Sequence, residues 1–351
     1  MTVRDVRVAV VGYGVSGRFF HAPLIAASDG LEVASVVTSS PERRRQVAAE
    51  HPRAEVVSTA QELWRGTPPE LVVVATPNSS HVAVASAAIE RGIPVVVDKP
   101  LAITAAEAEA VVARAQHAGV MLTVFQNRRW DTDQLTLRRL IADHALGDVT
   151  RCESRFERWR PHLDRAKWRE TAAPDEGGGA LLDLGSHLVD QALTLFGSAT
   201  HVYAEIESRR GALAEDDVFI ALRHASGTIS HLHASAVTPS PGPRLRVQGT
   251  AAAFLVAGLD PQESALRAGA RPDRRGGWGK PQEWEHGRLV AGERSVPVPP
   301  EPGDWPRFYA LLRDALRGEG PPPVDPSDAV AGLRVLEAAR RASRAQSVVA
   351  L

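Results

Sequence analysis

The sequence predicts an α/β protein in two parts: a doubly wound parallel sheet over residues 1–126, and an α+β part over residues 127–351 with a largely antiparallel, open-faced sheet. Two observations predict the first part. Short apolar runs alternate with helical patterns up to about residue 126, and a glycine-rich turn follows the first run. The second part is predicted from a change of pattern, because two helices are followed there by a series of longer strands.

Composition places the chain among ordinary globular proteins and narrows its partners. It has 351 residues, long enough for two domains, with 44% hydrophobic and 24% charged residues. A net charge of −1 and a pI near 6.9 give no reason to expect a nucleic acid or a membrane as partner. The single cysteine, Cys152, excludes an internal disulfide and fits a reducing compartment. The N-terminus enters a strand without a secretory leader, so we expect a cytoplasmic protein.

Each element of the first part is predicted from a local pattern. Short valine-rich runs indicate buried strands at 6–11, 31–37, 56–57, 71–75, 94–97 and 120–125. Helical patterns lie between them, from the glycine turn to about residue 27 and at 41–50, 80–91 and 104–118. Strands and helices that alternate at this spacing favour a parallel sheet with helices on both faces.

The second part begins with helices at 131–144 and 179–196 and continues with strands at 200–207, 216–224, 227–237 and 243–256. A glycine- and proline-rich surface excursion is expected over 268–303, and helices at 304–317 and 327–342 close the chain.

Strand 227–237 predicts an open sheet face. It places Ile229, His231 and His233 on one face, with Leu232, Ala234 and Ala236 on the other. We interpret the two histidines as sheet-face residues and not as metal ligands. A partner copy commonly covers an open face, so we expect a homodimer or a homotetramer.

The pattern Gly12-x-Gly14-x-x-Gly17 indicates a dinucleotide site. Gly12 permits a tight turn, Gly14 lets a pyrophosphate approach the backbone, and Gly17 lets the helix pack closely on the strand. The pattern alone is weak, since glycines also mark ordinary turns. Here it follows the first strand and opens a helix, as the fingerprint requires.

The end of the second strand favours NADP over NAD. The fingerprint predicts an acid there to bind the ribose hydroxyls, but the sequence has Thr38-Ser39-Ser40 and then three arginines, Arg43 to Arg45. Small hydroxyl residues and arginines suit a 2′-phosphate better than a bare ribose. The alternative is a solvated basic helix face.

Lys99 follows the fifth apolar run directly, at the edge where open α/β sheets bind ligands. An ammonium there can donate to a substrate oxygen and stabilise alkoxide charge. The alternative is a lysine that leaves a strand for solvent.

Asp183 and His187 lie four apart in a helical segment and share a face. His187 could accept the proton of the substrate hydroxyl, and Asp183 could orient the imidazole or hold a substrate hydroxyl. The alternative is a pair of residues on the helix surface without a catalytic role. No further ligand cluster suggests a metal.

Five motifs in order resemble the glucose–fructose oxidoreductase / inositol dehydrogenase / rhizopine-catabolism (Gfo/Idh/MocA) family over almost the whole chain. They are Gly12–Gly17 with His21-Ala22-Pro23-Leu24, Thr76-Pro77-Asn78 to His81, Asp98-Lys99-Pro100, Gln126-Asn127-Arg128-Arg129-Trp130-Asp131, and Asp183 to Gln191. The strings His21-Ala22-Pro23-Leu24 and Asn127-Arg128-Arg129-Trp130-Asp131 are most similar to the scyllo-inositol dehydrogenase branch. Family members commonly carry Glu-Lys-Pro, so Asp98 is a mild variant.

The resemblance implies a Rossmann domain and an NADP- or NAD-dependent dehydrogenase with Lys99, Asp183 and His187 as catalytic residues and a cis bond before Pro100. The implied cofactor-binding residues are Gly12, Tyr13, Gly14, Val15, Ser16, Gly17, Thr38, Ser39, Ser40, Arg43, Thr76, Pro77, Asn78, His81, Lys99, Pro100 and Asn127. The implied substrate-binding residues are Lys99, Asn127, Arg129, Trp130, Arg158, Asp183 and His187.

The expected reaction is hydride transfer between a secondary hydroxyl of a polyol, cyclitol or sugar and the nicotinamide. Arg158, Trp159, Arg160, His162 and Lys167 are further candidates for the cleft. So many donors suit a polyhydroxylated substrate, and they equally suit a sugar acid or a sugar phosphate. A regulator that binds a dinucleotide without catalysis is the alternative from a different class, since fold does not fix function.

Overall fold

The computed structural model describes residues 4–272, 277–283 and 286–351. Within these residues the strands form two sheets, one of six and one of nine strands. Their architecture is α/β, as the sequence predicts. No helix in the described part of the chain is long and apolar enough to cross a membrane.

The six-stranded sheet is parallel and has the strand order β3-β2-β1-β4-β5-β6. Its strands are β1 (Val6–Val11), β2 (Leu31–Val37), β3 (Glu55–Val57), β4 (Leu71–Val74), β5 (Val95–Asp98) and β6 (Leu122–Phe125). Strands β4 to β6 are buried along their whole length, which explains their continuous apolar sequence. The order reverses between β1 and β4, and such a switch point opens a crevice at the carboxyl ends of the strands.

Helices join these strands. They are α1 (Ala22–Ala26), which continues a π-helical turn (Gly17–His21), α2 (Pro41–Glu50), α3 (Ala60–Arg65), α4 (His81–Ile89) and α5 (Ala105–Ala118). Local sequence fixes several ends. Thr104 and Glu107 form a capping box at the start of α5, and Gly119 ends the helix with a left-handed φ of 63°.

The nine-stranded sheet has the order β14-β13-β12-β11-β7-β10-β9-β8-β15. Its strands are β7 (Val149–Glu157), β8 (Ala199–Glu207), β9 (Asp217–His224), β10 (Ile229–Ser235), β11 (Leu245–Gly249), β12 (Ala253–Val256), β13 (Arg288–Ala291), β14 (Arg294–Pro297) and β15 (Val349–Ala350). The pairing is antiparallel except between β7 and β10. The sheet is therefore largely antiparallel, as predicted.

The remaining helices of the described chain lie in its second part. They are α6 (Thr132–Ala142), α7 (Trp168–Thr171), α8 (Ser186–Phe196), α9 (Gln262–Arg267), α10 (Pro306–Leu316) and α11 (Pro326–Ala345). Helix α11 contacts β8, α8 and α5, so it bridges the second sheet and a helix of the first. Leu232 and Ala234 of β10 are buried, whereas Ile229, His231 and His233 on the other face are partly exposed.

Several elements differ from the sequence predictions. Strand β7 was not predicted, because its outward residues Arg151, Glu153, Arg155 and Glu157 make its sequence look like a charged loop. The predicted strand 243–256 is two strands separated by a turn. Helix α3 and the short β15 were also missed. The stretch 268–303 contains the β13–β14 hairpin in addition to irregular chain, and its residues 273–276 and 284–285 lie outside the described residues.

Candidate active site

The turn after β1 has the geometry of a phosphate cradle. Gly12 has a φ of +99°, and a side-chain carbon there would lie 2.5 Å from the carbonyl oxygen of Ala75. A carbon at Gly17 would overlap the carbonyl oxygen of Gly12. At Gly14, by contrast, nothing in the described chain lies within 4 Å of the added carbon. Gly12 and Gly17 thus lie where close packing leaves no space for a side chain, and Gly14 leaves an open approach to the backbone.

A partly buried ion pair between Arg18 and Glu50 supports this turn. The Tyr13 hydroxyl donates to Glu50 Oε2 at 2.7 Å, and Arg18 Nε donates to Glu50 Oε1 at 2.9 Å. Burial, together with the Glu50 carboxylate, raises the pKa of Tyr13 well above its ordinary value, so the hydroxyl stays a donor. Sequence reasoning missed Glu50 and Arg18, because nothing in their spacing connects the end of α2 with the glycine turn.

Polar atoms around the cradle remain available to a ligand. Ser16 Oγ and Thr76 Oγ1 are buried and have no hydrogen-bond partner within the described residues. Thr76 and Pro77 lie in the loop that follows β4. Val15, in the glycine turn after β1, has a side chain that is 46% exposed. Unpaired buried hydroxyls are costly unless a bound group satisfies them. Together with the open face of Gly14, they fit a dinucleotide whose pyrophosphate lies against this turn.

The end of β2 carries no acid. Thr38 is buried, Ser39 is exposed, and Ser40 Oγ caps α2 by accepting from the backbone N–H of Arg43 at 3.4 Å. Arg44 donates to Ser58 Oγ. The Arg43 side chain is exposed and has no side-chain partner in the described part of the protein. Ser39 and Arg43 are therefore the residues here that remain free to bind a ligand.

Lys99 and Asp183 form a close pair at the carboxyl end of β5. Lys99 Nζ donates to Asp183 Oδ1 at 2.9 Å and to the Asp183 carbonyl oxygen at 2.5 Å, and the lysine side chain is 11% exposed. Burial alone would raise the pKa of Asp183, but the Lys99 ammonium and the Arg169 guanidinium lower it well below its ordinary range. The Lys99–Pro100 bond is cis, as the resemblance implied.

His187 lies in a buried, electropositive position. It is 5% exposed, and its Nδ1 has no hydrogen-bond partner in the described chain. Burial, the Lys99 ammonium and the Arg128 guanidinium together hold the pKa of His187 well below its ordinary value. The imidazole is thus neutral near pH 7 and has a nitrogen available to accept a proton.

Asp183 does not orient His187, contrary to one of the two roles that the sequence suggested for it. Its carboxylate binds Lys99 and lies 3.2 Å from Arg169 Nε. The i, i+4 spacing places side chains side by side in an α-helix, but residues 181–185 form a π-type turn, whose wider geometry changes their directions. Sequence spacing alone cannot reveal a π-turn.

His81 and Asn78, two residues expected to bind the cofactor, form hydrogen bonds that join separate loops. The ring nitrogens of His81 lie 2.8 Å from the Pro100 carbonyl oxygen and 3.0 Å from that of Thr76. Asn78 donates to the Gly177 carbonyl oxygen at 2.9 Å, close to the helical turn that carries Asp183. These side chains therefore fix the loops after β4 and β5 against each other and against the second part of the chain.

The candidates at the start of the second part are buried in its scaffold. Arg129 donates to Asp190 at 2.9 and 2.6 Å and to Asp328 at 2.9 Å. Trp130 packs edge-to-face on Phe308. Asn127 is buried in the same turn. The structure thus gives Arg129 and Trp130 packing and ion-pair partners, and does not join them to the Lys99–Asp183 pair.

A pocket of about 530 Å³, open to solvent, lies next to this pair. Its lining residues include Arg158, Arg160, Arg169, Asp183 and Arg210. Of the remaining candidates for the cleft, Trp159 is 56% exposed, His162 is not among the residues that line the pocket, and Lys167 pairs with Asp164 at 2.8 Å. Arg169 and Arg210 were not predicted, since they lie in irregular segments without a motif. The described residues include no cluster of three potential metal ligands.

The cradle at the switch point and the lysine after β5 define the class of protein, a dinucleotide-binding oxidoreductase. Family models agree. Residues 6–126 match the oxidoreductase family with an NAD-binding Rossmann fold, and residues 134–255 match the GFO/IDH/MocA C-terminal domain. The chain belongs to the Gfo/Idh/MocA family of NAD-binding oxidoreductases.

Individual relatives are similar over nearly the full length. The chain is 39% identical to the oxidoreductase YdgJ of Escherichia coli K12, covering 95% of each chain. It is 33% identical to scyllo-inositol 2-dehydrogenase (NADP(+)) IolW of Bacillus subtilis 168, covering 99% of this chain and 97% of that one. The solved structure of the oxidoreductase yvaA from Bacillus subtilis superposes with a TM-score of 0.92 at 32% identity, covering 100% and 99% of the two chains.

Proposed function

We propose that this protein transfers a hydride between a secondary hydroxyl of a cyclitol or sugar and a nicotinamide cofactor. The observation that carries the proposal is the partly buried Lys99–Asp183 pair beside a neutral His187, at the sheet edge that also holds the glycine cradle. In the oxidising direction His187 would take the proton of the substrate O–H bond and become an imidazolium, and a bound nicotinamide would supply the acceptor for the hydride of the C–H bond, so that the products would be a ketone and a reduced cofactor.

The side chains divide the work as follows. An ammonium has three N–H donors, and Asp183 accepts two from Lys99 through Oδ1 and its carbonyl oxygen. One donor remains for the substrate oxygen, where it stabilises the developing alkoxide. Asp183 holds the ammonium in place. His187, neutral and buried, accepts the hydroxyl proton.

The residues after β1 and β4 would hold the dinucleotide. Gly14 and Ser16 would receive the pyrophosphate, and Thr76 would meet the nicotinamide end. When bound, the nicotinamide supplies the redox chemistry, as a hydride acceptor or donor. Ser39 and Arg43, at a strand end without an acid, favour NADP over NAD, and the relative IolW is named for NADP(+).

The substrate class rests on the pocket lining and on relatives. The lining carries several arginine side chains that can donate hydrogen bonds to hydroxyl oxygens. Relatives include scyllo-inositol 2-dehydrogenase, D-apiose dehydrogenase at 29% identity and 1,5-anhydro-D-fructose reductase at 26% identity. Each is named for a polyhydroxylated compound. The single cysteine, Cys152, is buried and free, which suits the cytoplasm, where we propose that the protein acts.

A substrate and cofactor screen tests the proposal. Inositols and aldoses are each incubated with NADP and with NAD, and the absorbance of the reduced nicotinamide is followed. We expect turnover with at least one cyclitol or sugar. If all of them are inert while simple ketones or aldehydes are reduced well, the substrate class is wrong. If the protein binds NADPH but turns over nothing, a non-catalytic regulator is the better interpretation.

A further inference from the structure

The pocket beside Lys99 is lined by charged side chains of both signs. Its lining carries the guanidinium groups of Arg158, Arg160, Arg169 and Arg210, together with the carboxylates of Glu170, Asp183, Glu215 and Asp216. Lys99 and Arg340 reach two of these carboxylates from outside the lining. The pairing among these groups therefore decides which cations of the lining remain for a ligand.

Most of these charges are paired. Arg210 donates to Asp216 and to Glu170, both at 2.9 Å. Arg340 donates to Glu215 at 2.9 and 3.1 Å. Lys99 and Arg169 share Asp183. All four carboxylates are accounted for by these pairs.

Arg158 and Arg160 are left over. Within the described residues neither guanidinium donates a side-chain hydrogen bond or lies within ion-pair distance of a carboxylate. Arg160 is exposed, but Arg158 is partly buried. Burial and the neighbouring Arg160 charge lower the pKa of Arg158. A partly buried guanidinium with no partner is unfavourable, and an anion that enters the pocket would relieve both the desolvation and the repulsion.

We propose that the substrate carries an anionic oxygen group, a carboxylate or a phosphate, that Arg158 binds with the help of Arg160 while its secondary hydroxyl meets Lys99 and His187. This inference rests on the proposed function and narrows its substrate class. The planar guanidinium suits both groups, because it donates two parallel N–H bonds to carboxylate or phosphate oxygens. A neutral polyol would leave the Arg158 and Arg160 guanidinium groups without a counter-ion at ion-pair distance.

Matched substrates test the proposal. Each neutral compound is compared with its acids: glucose with glucuronate and glucose 6-phosphate, galactose with galacturonate, and myo-inositol with an inositol monophosphate. We expect kcat/KM for at least one acid to exceed that of its neutral partner about 10- to 100-fold, the range given by hydrogen bonds to charged groups. The uronate and phosphate compounds separate the two kinds of anion. The KM of the favoured acid should also rise with salt, because screening weakens the attraction.

Variants then assign the preference to a residue. Arg158→Gln should lower kcat/KM for the acid at least tenfold more than for the neutral partner, and Arg158→Lys should restore part of the difference. Arg165→Gln is the matched control, since it removes an exposed charge from the same irregular segment outside the pocket lining. Thermal melting of each variant, with NADPH bound, verifies folding.

The outcomes separate the two proposals. If neutral compounds turn over and no acid is favoured, or if Arg158→Gln lowers both members of a pair equally, the anion site is wrong and the dehydrogenase stands. If nothing turns over, calorimetry of the NADPH complex with glucuronate and with glucose 6-phosphate decides. Binding that Arg158→Gln abolishes supports the site and counts against the dehydrogenase. No binding overturns the anion site as well.

Discussion

At the scale of single residues, burial and neighbouring cations keep the imidazole of His187, the proposed proton acceptor, neutral. The burial of His187 and the nearby charges of Lys99 and Arg128 lower the pKa of its imidazole. The sequence alone does not determine the sign of this shift, because Asp183, if in contact, would raise the pKa. The structure determines it, since Asp183 binds Lys99 and Arg169 instead.

The pH profile of alcohol oxidation should reflect this shift. Because the pKa of His187 lies well below 6.5, the imidazole is neutral at pH 7, and kcat/KM should stay level above that pH and fall only in acid as His187 gains a proton. His187→Asn should lower the rate about 10²- to 10⁴-fold and remove the acid limb. If the variant keeps the same limb with the same apparent pKa, another group accepts the proton, and Lys99 is the first candidate.

Cofactor preference should depend on Arg43. We expect kcat/KM to favour NADP over NAD in the wild-type protein. Arg43→Ala should lower the NADP value about tenfold with little change for NAD, because a charged hydrogen bond to the 2′-phosphate is lost. Arg45→Ala, which removes an adjacent exposed arginine, is the control. A preference for NAD that Arg43→Ala does not alter would mean that these arginines are only solvated.

At the scale of elements, a buried polar contact joins α10 to the π-helical turn that precedes α1. His21 Nδ1 lies 2.6 Å from the Tyr309 hydroxyl, and both side chains are fully buried. Phe125 at the end of β6 packs edge-to-face on Phe308 beside them. Burial lowers the pKa of His21 to about 4, so the contact joins a neutral imidazole to a phenol.

Removing the phenol oxygen should loosen this attachment. Tyr309→Phe leaves a buried His21 nitrogen without its partner and should lower the free energy of unfolding by about 1–3 kcal/mol, measured by urea denaturation. Tyr203→Phe is the control, since its hydroxyl binds Glu205 on the surface at 3.1 Å. Equal effects of the two substitutions would show that the buried contact adds nothing.

The sequence predicts elements well where one pattern dominates. The runs that became β1, β2 and α2 have the predicted bounds, since valine-rich buried strands and a capped helix are local signals. Strand β7 was missed because its buried side chains, Cys152, Ser154 and Phe156, include one polar residue and alternate with charged ones. Contacts such as Tyr13 with Glu50 depend on the fold, and no local pattern contains them.

At the scale of the whole molecule, one face of the second sheet carries partly exposed side chains of β9 and β10. Phe219, His231 and His233 form a ring cluster there, with centroids 5.0 to 5.8 Å apart. We propose that a second copy of the chain covers this face, as a homodimer or within a homotetramer. We also propose that the chain divides into two domains after residue 126, and that the second domain forms the contact between the copies.

Light scattering at micromolar concentration should give a multiple of 37.7 kDa. Phe219→Arg should shift the mass toward the monomer, because it replaces the aromatic ring of the cluster at the proposed contact by a charge that the partner would have to desolvate. Leu213→Arg, at a loop position that is 74% exposed, is the control and should leave the mass unchanged. A monomer mass for the wild-type protein would refute the interface.

The central claim is that Lys99 stabilises the reacting oxygen of the substrate, and Lys99→Met tests it most directly. The substitution removes the ammonium from a buried position at the end of β5 while nearly keeping its length. The measurement is kcat with a substrate found in the screen, beside the dissociation constant of NADPH by fluorescence. We expect kcat to fall about 10²- to 10³-fold, the cost of losing one preorganised donor, with NADPH binding changed less than about threefold. Near-normal turnover in a variant that binds NADPH would contradict the account.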